Sequence, residues 1–128
     1  MALSHPESNR LTEQIIGFCI DIHKEFGPGL LESAYDDSLY WDLFDAELIV
    51  DRQRKIPIVR RSRTIAGAFR ADLIVNEQVI VEVKALEKVL PVHKSQLLTY
   101  MKLSRIRVGL LINFNVDRLV DGITRLSL

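Results

Sequence analysis

The 128-residue chain has a single cysteine, Cys19. An intrachain disulfide or a thiolate zinc cluster is therefore impossible, and a reducing compartment, the cytoplasm, is the expected setting. No uninterrupted apolar run approaches the roughly 20 residues that cross a bilayer, so no membrane partner is expected. The N-terminus, Met-Ala-Leu-Ser-His-Pro-Glu, has neither the basic start nor the apolar stretch of a secretory signal. The sequence also lacks an excess of either charge, with 17 basic and 17 acidic side chains, which excludes a protein that coats nucleic acid by bulk attraction. There is no repeat, low-complexity segment or linker, so the expectation is one domain over 1–128, with 1–9 as a loosely ordered tail. Folding a chain of this size removes roughly two-thirds of its extended surface from water, enough for one core without staples.

The charge balance conceals a gradient. Residues 1–50 carry 2 basic and 10 acidic side chains, 51–70 carry 7 and 1, and 71–128 carry 8 and 6. The acidic front is helical in pattern. Leu11, Ile15, Ile16, Cys19, Ile22 and Phe26 recur at three-and-four spacing behind a cap at Ser8 or Asn9, and Gly27-Pro28-Gly29 stops the helix. A second helix follows, with Leu31, Ala34, Tyr35, Leu39, Leu43 and Phe44 inside and Glu32, Asp36, Asp37, Asp42 and Asp45 largely on a solvated face. Leu48 to Arg60, Thr64 to Val75 and Gln78 to Ala85 read as three strands of an antiparallel meander, with Pro57 at an edge and a turn at Asn76-Glu77. Leu90-Pro91 opens a helix to about Leu103. Arg107 to Phe114 is an apolar strand of the kind covered on both faces, and a short last strand is possible in the tail. The order α, α, β, β, β, α, β predicts an α/β fold, a mixed sheet flanked by helices.

The informative residues are charges where the local pattern wants none. In Gln78 to Ala85, Val79, Val81 and Val83 share one face, and Ile80, Glu82 and Lys84 the other. A carboxylate and an ammonium on a central strand lose hydration at several kcal/mol each unless they pair or bind something; a cross-strand ion pair on a half-exposed face is the plainer alternative. Asp72 interrupts the neighbouring apolar run, and acids on adjacent strands can share a hard divalent cation. A two-residue turn at Asn76-Glu77 would pair Asp72 with Val81 and separate the acids. An odd register, from a longer turn or a bulge, is expected instead, pairing Asp72 with Ile80 and putting Asp72 and Glu82 on one face. On the following helix Gln96 and Tyr100 stack four apart with His93 on the same side, a spacing that core and rim residues share.

Asp72, Glu82-Val83-Lys84 and Gln96-x-x-x-Tyr100, in that order, resemble the PD-(D/E)xK nuclease pattern in its QxxxY-bearing branch. Gly29-Leu30-Leu31-Glu32-Ser33-Ala34-Tyr35 is similar to the motif of the GxxExxY family within that superfamily. The likeness runs from about Leu11 to Leu126 and includes Pro91-Val92-His93 and Leu111 to Asn115; Ala71 stands where the superfamily pattern has proline. The resemblance implies a restriction-endonuclease-like core and Mg²⁺- or Mn²⁺-dependent hydrolysis of DNA phosphodiesters. By the same resemblance Asp72, Glu82, the Val83 carbonyl and Glu32 hold the metal, Lys84 positions or activates water, and Gln96 and Tyr100 orient the site, with His93 a further contact. Glu32, in the first helical turn, equally suits a structural role. Arg52, Arg54 and Arg70, in the basic section leading to Asp72, are candidate phosphate contacts, although charge on strand edges also blocks edge pairing. Two other classes stay open: a non-hydrolytic nucleic-acid-binding or regulatory module on this fold, as a homodimer or with a partner protein, and an α/β interaction protein with an internal ion-pair cluster.

Overall fold

Leu11, Ile15, Cys19 and Ile22 form one buried stripe along α1 (Pro6–Phe26). The computed structural model describes residues 6–65 and 69–128. α1 begins ahead of the expected Ser8 or Asn9 cap, because proline suits a first helical turn where its missing N–H has no partner to lose. Residues 6–9 of the expected loose tail are thus helical, and 1–5 lie outside the described residues. Phe26, expected inside, is about half exposed at the helix end. Gly27 and Gly29, with φ of 66° and 105°, then reverse the chain as only glycine does without strain.

α2 (Glu32–Asp45) buries Tyr35, Leu39 and Leu43, whereas Leu31 and Phe44 of the expected inner stripe are exposed. Asp36 corrects the solvated-face reading in the other direction: it is buried, with its carboxylate 2.9 Å from Arg52. Tyr35 locks the helix to the preceding turn. Its ring stacks on Phe114 at 4.4 Å, while its hydroxyl donates to the Gly27 carbonyl at 2.5 Å and accepts the Leu30 N–H at 3.1 Å. That fixes where the first turn of α2, and so Glu32, lies.

The stretch expected as one strand over 48–60 breaks into β1 (Val50–Lys55) and β2 (Ile58–Arg60). Pro57 has no N–H to continue a ladder, and Ile56 turns into the core. The strand expected over 64–75 is likewise two, β3 (Arg63–Ile65) and β4 (Arg70–Val75); its residues 66–68 lie outside the described ones. The three-strand meander is therefore replaced. β2 and β3 pair only with each other, and β1 pairs directly with β4. β5 (Val79–Lys84) follows, then α3 (Pro91–Ser104), β6 (Val108–Asn113), a 3₁₀ turn (Leu119–Gly122) and β7 (Ile123–Ser127), the last strand of the tail.

The five-stranded sheet runs β1-β4-β5-β6-β7, parallel only between β5 and β6, where α3 makes the crossover. All six residues of β6 are buried, as a strand covered on both faces requires. Leu73, Val75, Val81 and Val83 face the helix pair α1–α2, and Ile74, Ile80 and Leu111 meet Leu97 and Met101 of α3. The mixed sheet flanked by helices is as expected. No helix among the described residues is long and apolar enough to cross a membrane.

Cys19 has no exposed surface, and burial pushes its thiol far above the ordinary range, so the reactive thiolate is suppressed. Iodoacetamide is expected to leave the native chain unlabelled and to modify it stoichiometrically in denaturant. Mass-detected labelling of the native protein within an hour would mean that α1 opens readily.

Candidate active site

The β4–β5 connection sets the site. Asn76 and Glu77 both have positive φ (51° and 54°), and the Gln78 N–H donates to the Val75 carbonyl at 2.9 Å, so the two-residue turn stands where expected. The strands beyond it are nonetheless offset by one, with Val75 opposite Val79, Ile74 opposite Ile80 and Leu73 opposite Val81. Gln78 is the extra residue, a bulge. The register is odd, as expected, but set the other way: Ile80 faces Ile74, and Asp72 comes opposite Glu82.

Regular pairing stops at Leu73 and Val81. Beyond that point side chains take over the backbone donors. Asp72 Oδ2 accepts the Val83 N–H at 2.9 Å, and Glu82 Oε1 accepts the Asp72 N–H at 3.3 Å. β4 and β5 therefore part at this end while β5 stays paired to β6, with Lys84 beside Asn113 and the Lys84 carbonyl accepting the Phe114 N–H at 2.9 Å. Within a strand the N–H and C=O of one residue point the same way, so the Val83 carbonyl also faces the gap.

Glu82 is buried, and its carboxyl is held well above the usual carboxylate range, first by burial and then by the Asp72 charge, with Lys84 opposing. Lys84, half-buried, lies two residues further along the same face. Glu32 is raised by burial, lowered by Lys84, and raised by Asp72 and Asp36. It therefore lies within electrostatic reach of the cluster, yet among the described residues it makes no hydrogen bond or ion pair. Tyr100 is raised by burial and then by Glu82 and Asp72, which keeps its phenol a donor on the acidic side, and its ring stacks on Phe69 at 3.6 Å.

Other expected site residues are engaged elsewhere. His93 Nδ1 accepts the Leu90 N–H at 2.8 Å and so closes the first turn of α3. Arg52 pairs with Asp36 and Asp37 and lies over the Tyr40 ring at 4.4 Å, pinning α2 to β1. Arg54 is held by Glu77 and Asp51. Gln96 and Arg70 are exposed and make no side-chain hydrogen bond among the described residues.

Two neighbours escaped the sequence reading. Gln53, with φ of 52°, falls between the pairs Arg52–Leu73 and Arg54–Ala71, and its Nε2 donates to Asp72 Oδ1 at 3.4 Å. Nothing in an exposed polar run signals it. Asn113 is buried and clasps Leu86 from both sides, accepting its N–H at 2.9 Å and donating to its carbonyl at 3.0 Å, which fixes the chain leaving Lys84. An amide closing an otherwise apolar strand was a usable signal.

Among the described residues no three His, Cys, Asp or Glu side chains converge as a ready metal cage. The donors that do converge are two carboxylates and a backbone carbonyl, all oxygen, in a buried place short of positive charge. Such a set fits a hard divalent cation that retains several waters. Glu82→Gln is accordingly expected to stabilise the metal-free protein by roughly 1–2 kcal/mol at pH 8. Because the folded-state value is raised, the stability Glu82 contributes is full below its ordinary value near pH 4 and is lost as pH rises through the folded one. The advantage of the glutamine should vanish in melts at acid pH; equal melting at pH 8 would mean that Glu82 is well solvated.

The site thus joins parted antiparallel strands that each present a carboxylate to a lysine two residues on, in a sheet with helices on both faces. A family model described as the PD-(D/E)XK nuclease superfamily matches residues 9–126, and the chain belongs to that superfamily. Membership points to a nuclease with a nucleic-acid substrate. No curated protein and no solved structure matches the chain.

Proposed function

We propose that this chain is a metal-dependent nuclease of the GxxExxY group that hydrolyses phosphodiester bonds of DNA. The observation that carries the reading is the parting of β4 and β5, which leaves Asp72, Glu82 and the Val83 carbonyl around one gap. These groups would hold Mg²⁺ or Mn²⁺, with Glu32, whose carboxyl senses the charges of Lys84 and Asp72, acting through water. When bound, the ion polarises a phosphoryl oxygen and lowers the pKa of a coordinated water.

The chain's own residues do the rest. Lys84 lies beside the acids, and it stabilises negative charge as that develops on the phosphoryl group. Tyr100 offers a phenol donor to the same space, with Gln96 one helical turn earlier. Gln53 steadies Asp72 through Oδ1. The lone, buried, reduced cysteine agrees with a cytoplasmic setting.

The test is cleavage of single-stranded and duplex DNA with Mg²⁺ or Mn²⁺ by the native chain, Asp72→Ala and Lys84→Ala. Cutting by the native chain alone is expected. Equal cutting by all three would overturn the site.

The absence of a third converging His, Cys, Asp or Glu side chain among the described residues favours one second reading, a module that binds nucleic acid without cutting it. Salt-sensitive binding without cleavage would select it. The described residues offer little beyond the core with which to choose a sequence. Exposed Trp41 and Phe44, packed edge to face on α2, are where self-association or a partner protein would add that choice.

A further inference from the structure

The β2–β3 hairpin is an excursion from the sheet with no core of its own. Ile58, Val59 and Ile65 join neither of the two hydrophobic clusters, and Val59 and Ile65 are exposed. The excursion leaves between Lys55 and Arg70, which are register partners two residues beyond the level of Gln53 and Asp72. At its root Ile56 is buried and donates its N–H to the Phe69 carbonyl, and Phe69 stacks on Tyr100. The hairpin thus springs from the rim of the proposed active site.

Its tip is built against its own stability. Arg60 lies directly opposite Arg63, and like charges at opposed positions weaken a strand pair. Between them Arg61 and Ser62 both have positive φ, 51° and 62°, in a two-residue turn whose geometry favours Asn-Gly and strains a bulky residue. Among the described residues no carboxylate pairs with Arg60, Arg61 or Arg63. A two-stranded hairpin standing alone is already marginal. Charge that merely protects an edge would be spread along the strand, not gathered at the tip in an opposed pair. Three unpaired guanidiniums at one point suit a partner with regularly spaced anionic oxygens, which their forked donors bind in pairs.

We propose that the β2–β3 hairpin is an arm that grips the phosphate backbone of nucleic acid beside the Asp72–Glu82 gap, through Arg60, Arg61 and Arg63. The proposal rests on the reading of that gap as acting on nucleic acid and adds how the substrate is held. Arg52 and Arg54 are already paired within the fold, so the arm, with exposed Arg70 at its foot, takes over the substrate contact expected of them.

The test is fluorescence anisotropy of the full chain on labelled duplex and single-stranded DNA in EDTA, where nothing is cut, over a salt series. The triple variant Arg60→Gln, Arg61→Gln, Arg63→Gln is expected to bind at least about tenfold more weakly, with a salt slope shallower by roughly 2–3 on duplex, since each lost phosphate contact removes about 0.9. Its melting temperature should not fall, because the opposed charges are gone. The corresponding triple lysine variant should return to within a few-fold of the native affinity. Unchanged affinity and slope in the glutamine variant would overturn the arm and leave the nuclease reading to its own assay. Binding that depends on the arm, in a native chain that never cuts DNA with Mg²⁺ or Mn²⁺, would uphold the arm and overturn the nuclease. A native chain without salt-dependent DNA binding would overturn both. A change in sedimentation mass without a change in affinity would assign the arginines to the acidic helices of a second copy and overturn the arm.

Discussion

Lys84→Ala is expected to lower the rate of DNA cleavage by roughly 10²–10³-fold while leaving DNA affinity in EDTA within a few-fold of native. The magnitude follows from position. Lys84 follows Glu82 on the same face of β5, and its charge opposes the burial that holds both Glu82 and Glu32 above their ordinary range. A fixed positive charge in a partly buried gap acts more strongly on developing phosphoryl charge than it would in water, and needs no reorganisation to do so. Removing it should also push Glu82 further up, weakening any divalent cation at neutral pH. The loss should therefore be partly rescued by raising Mn²⁺ or pH. Measured kcat against metal concentration separates the two effects; a variant with native kcat at saturating metal would remove Lys84 from the reaction.

Gly122→Ala is expected to be the most damaging change outside the site, at about 3 kcal/mol or more. A Cβ at Gly122 would overlap the backbone carbonyl oxygen of Asn113, and a backbone atom in a buried strand cannot withdraw as a side-chain tip can. In a chain of 128 residues that is a fall in melting temperature of roughly 10 °C or more. Gly109→Ala is the contrast. Its Cβ would approach the Met101 sulfur at 2.6 Å and the Leu97 side chain at 3.0 Å, and a flexible thioether can move aside at lower cost. If Gly122→Ala melted within a few degrees of native, the segment between β6 and β7 would have to be far more yielding than its burial indicates. Because Asn113 also clasps Leu86 just after Lys84, the residual folded Gly122→Ala should show reduced cleavage as well.

Much of this was legible in the residues. The α1 stripe, the Gly27–Gly29 stop, α3 opening at Pro91 and the buried β6 follow from periodicity and from what glycine and proline permit. The shared face of Asp72 and Glu82 followed from strand parity once an odd register was assumed, but the partner did not, because a bulge at Gln78 is invisible in composition. β1 to β4 defeated the pattern for a similar reason. A β-branched run cannot disclose that it will break at Ile56-Pro57, return through a hairpin, and pair its first part with its last. Asp36 was misplaced because a helical wheel gives an acid's angle and not the arginine that waits for it on another strand. Charge alone does not show that Arg52 and Arg54 are paired with carboxylates of the fold, because sequence does not reveal which cations find an intramolecular partner.

The parted end of β4 and β5 divides the labour of each carboxylate. One oxygen of Asp72, Oδ2, and one of Glu82, Oε1, stand in for missing rungs of the sheet, while Asp72 Oδ1 is turned to Gln53 and Glu82 Oε2 has no rung to fill. Architecture and reactivity thus draw on different lone pairs of the same side chains. An amide retains the oxygen that completes a rung and gives up the anionic charge, so the catalytic role proposed for these residues is separable by Asn or Gln from their role in closing the sheet.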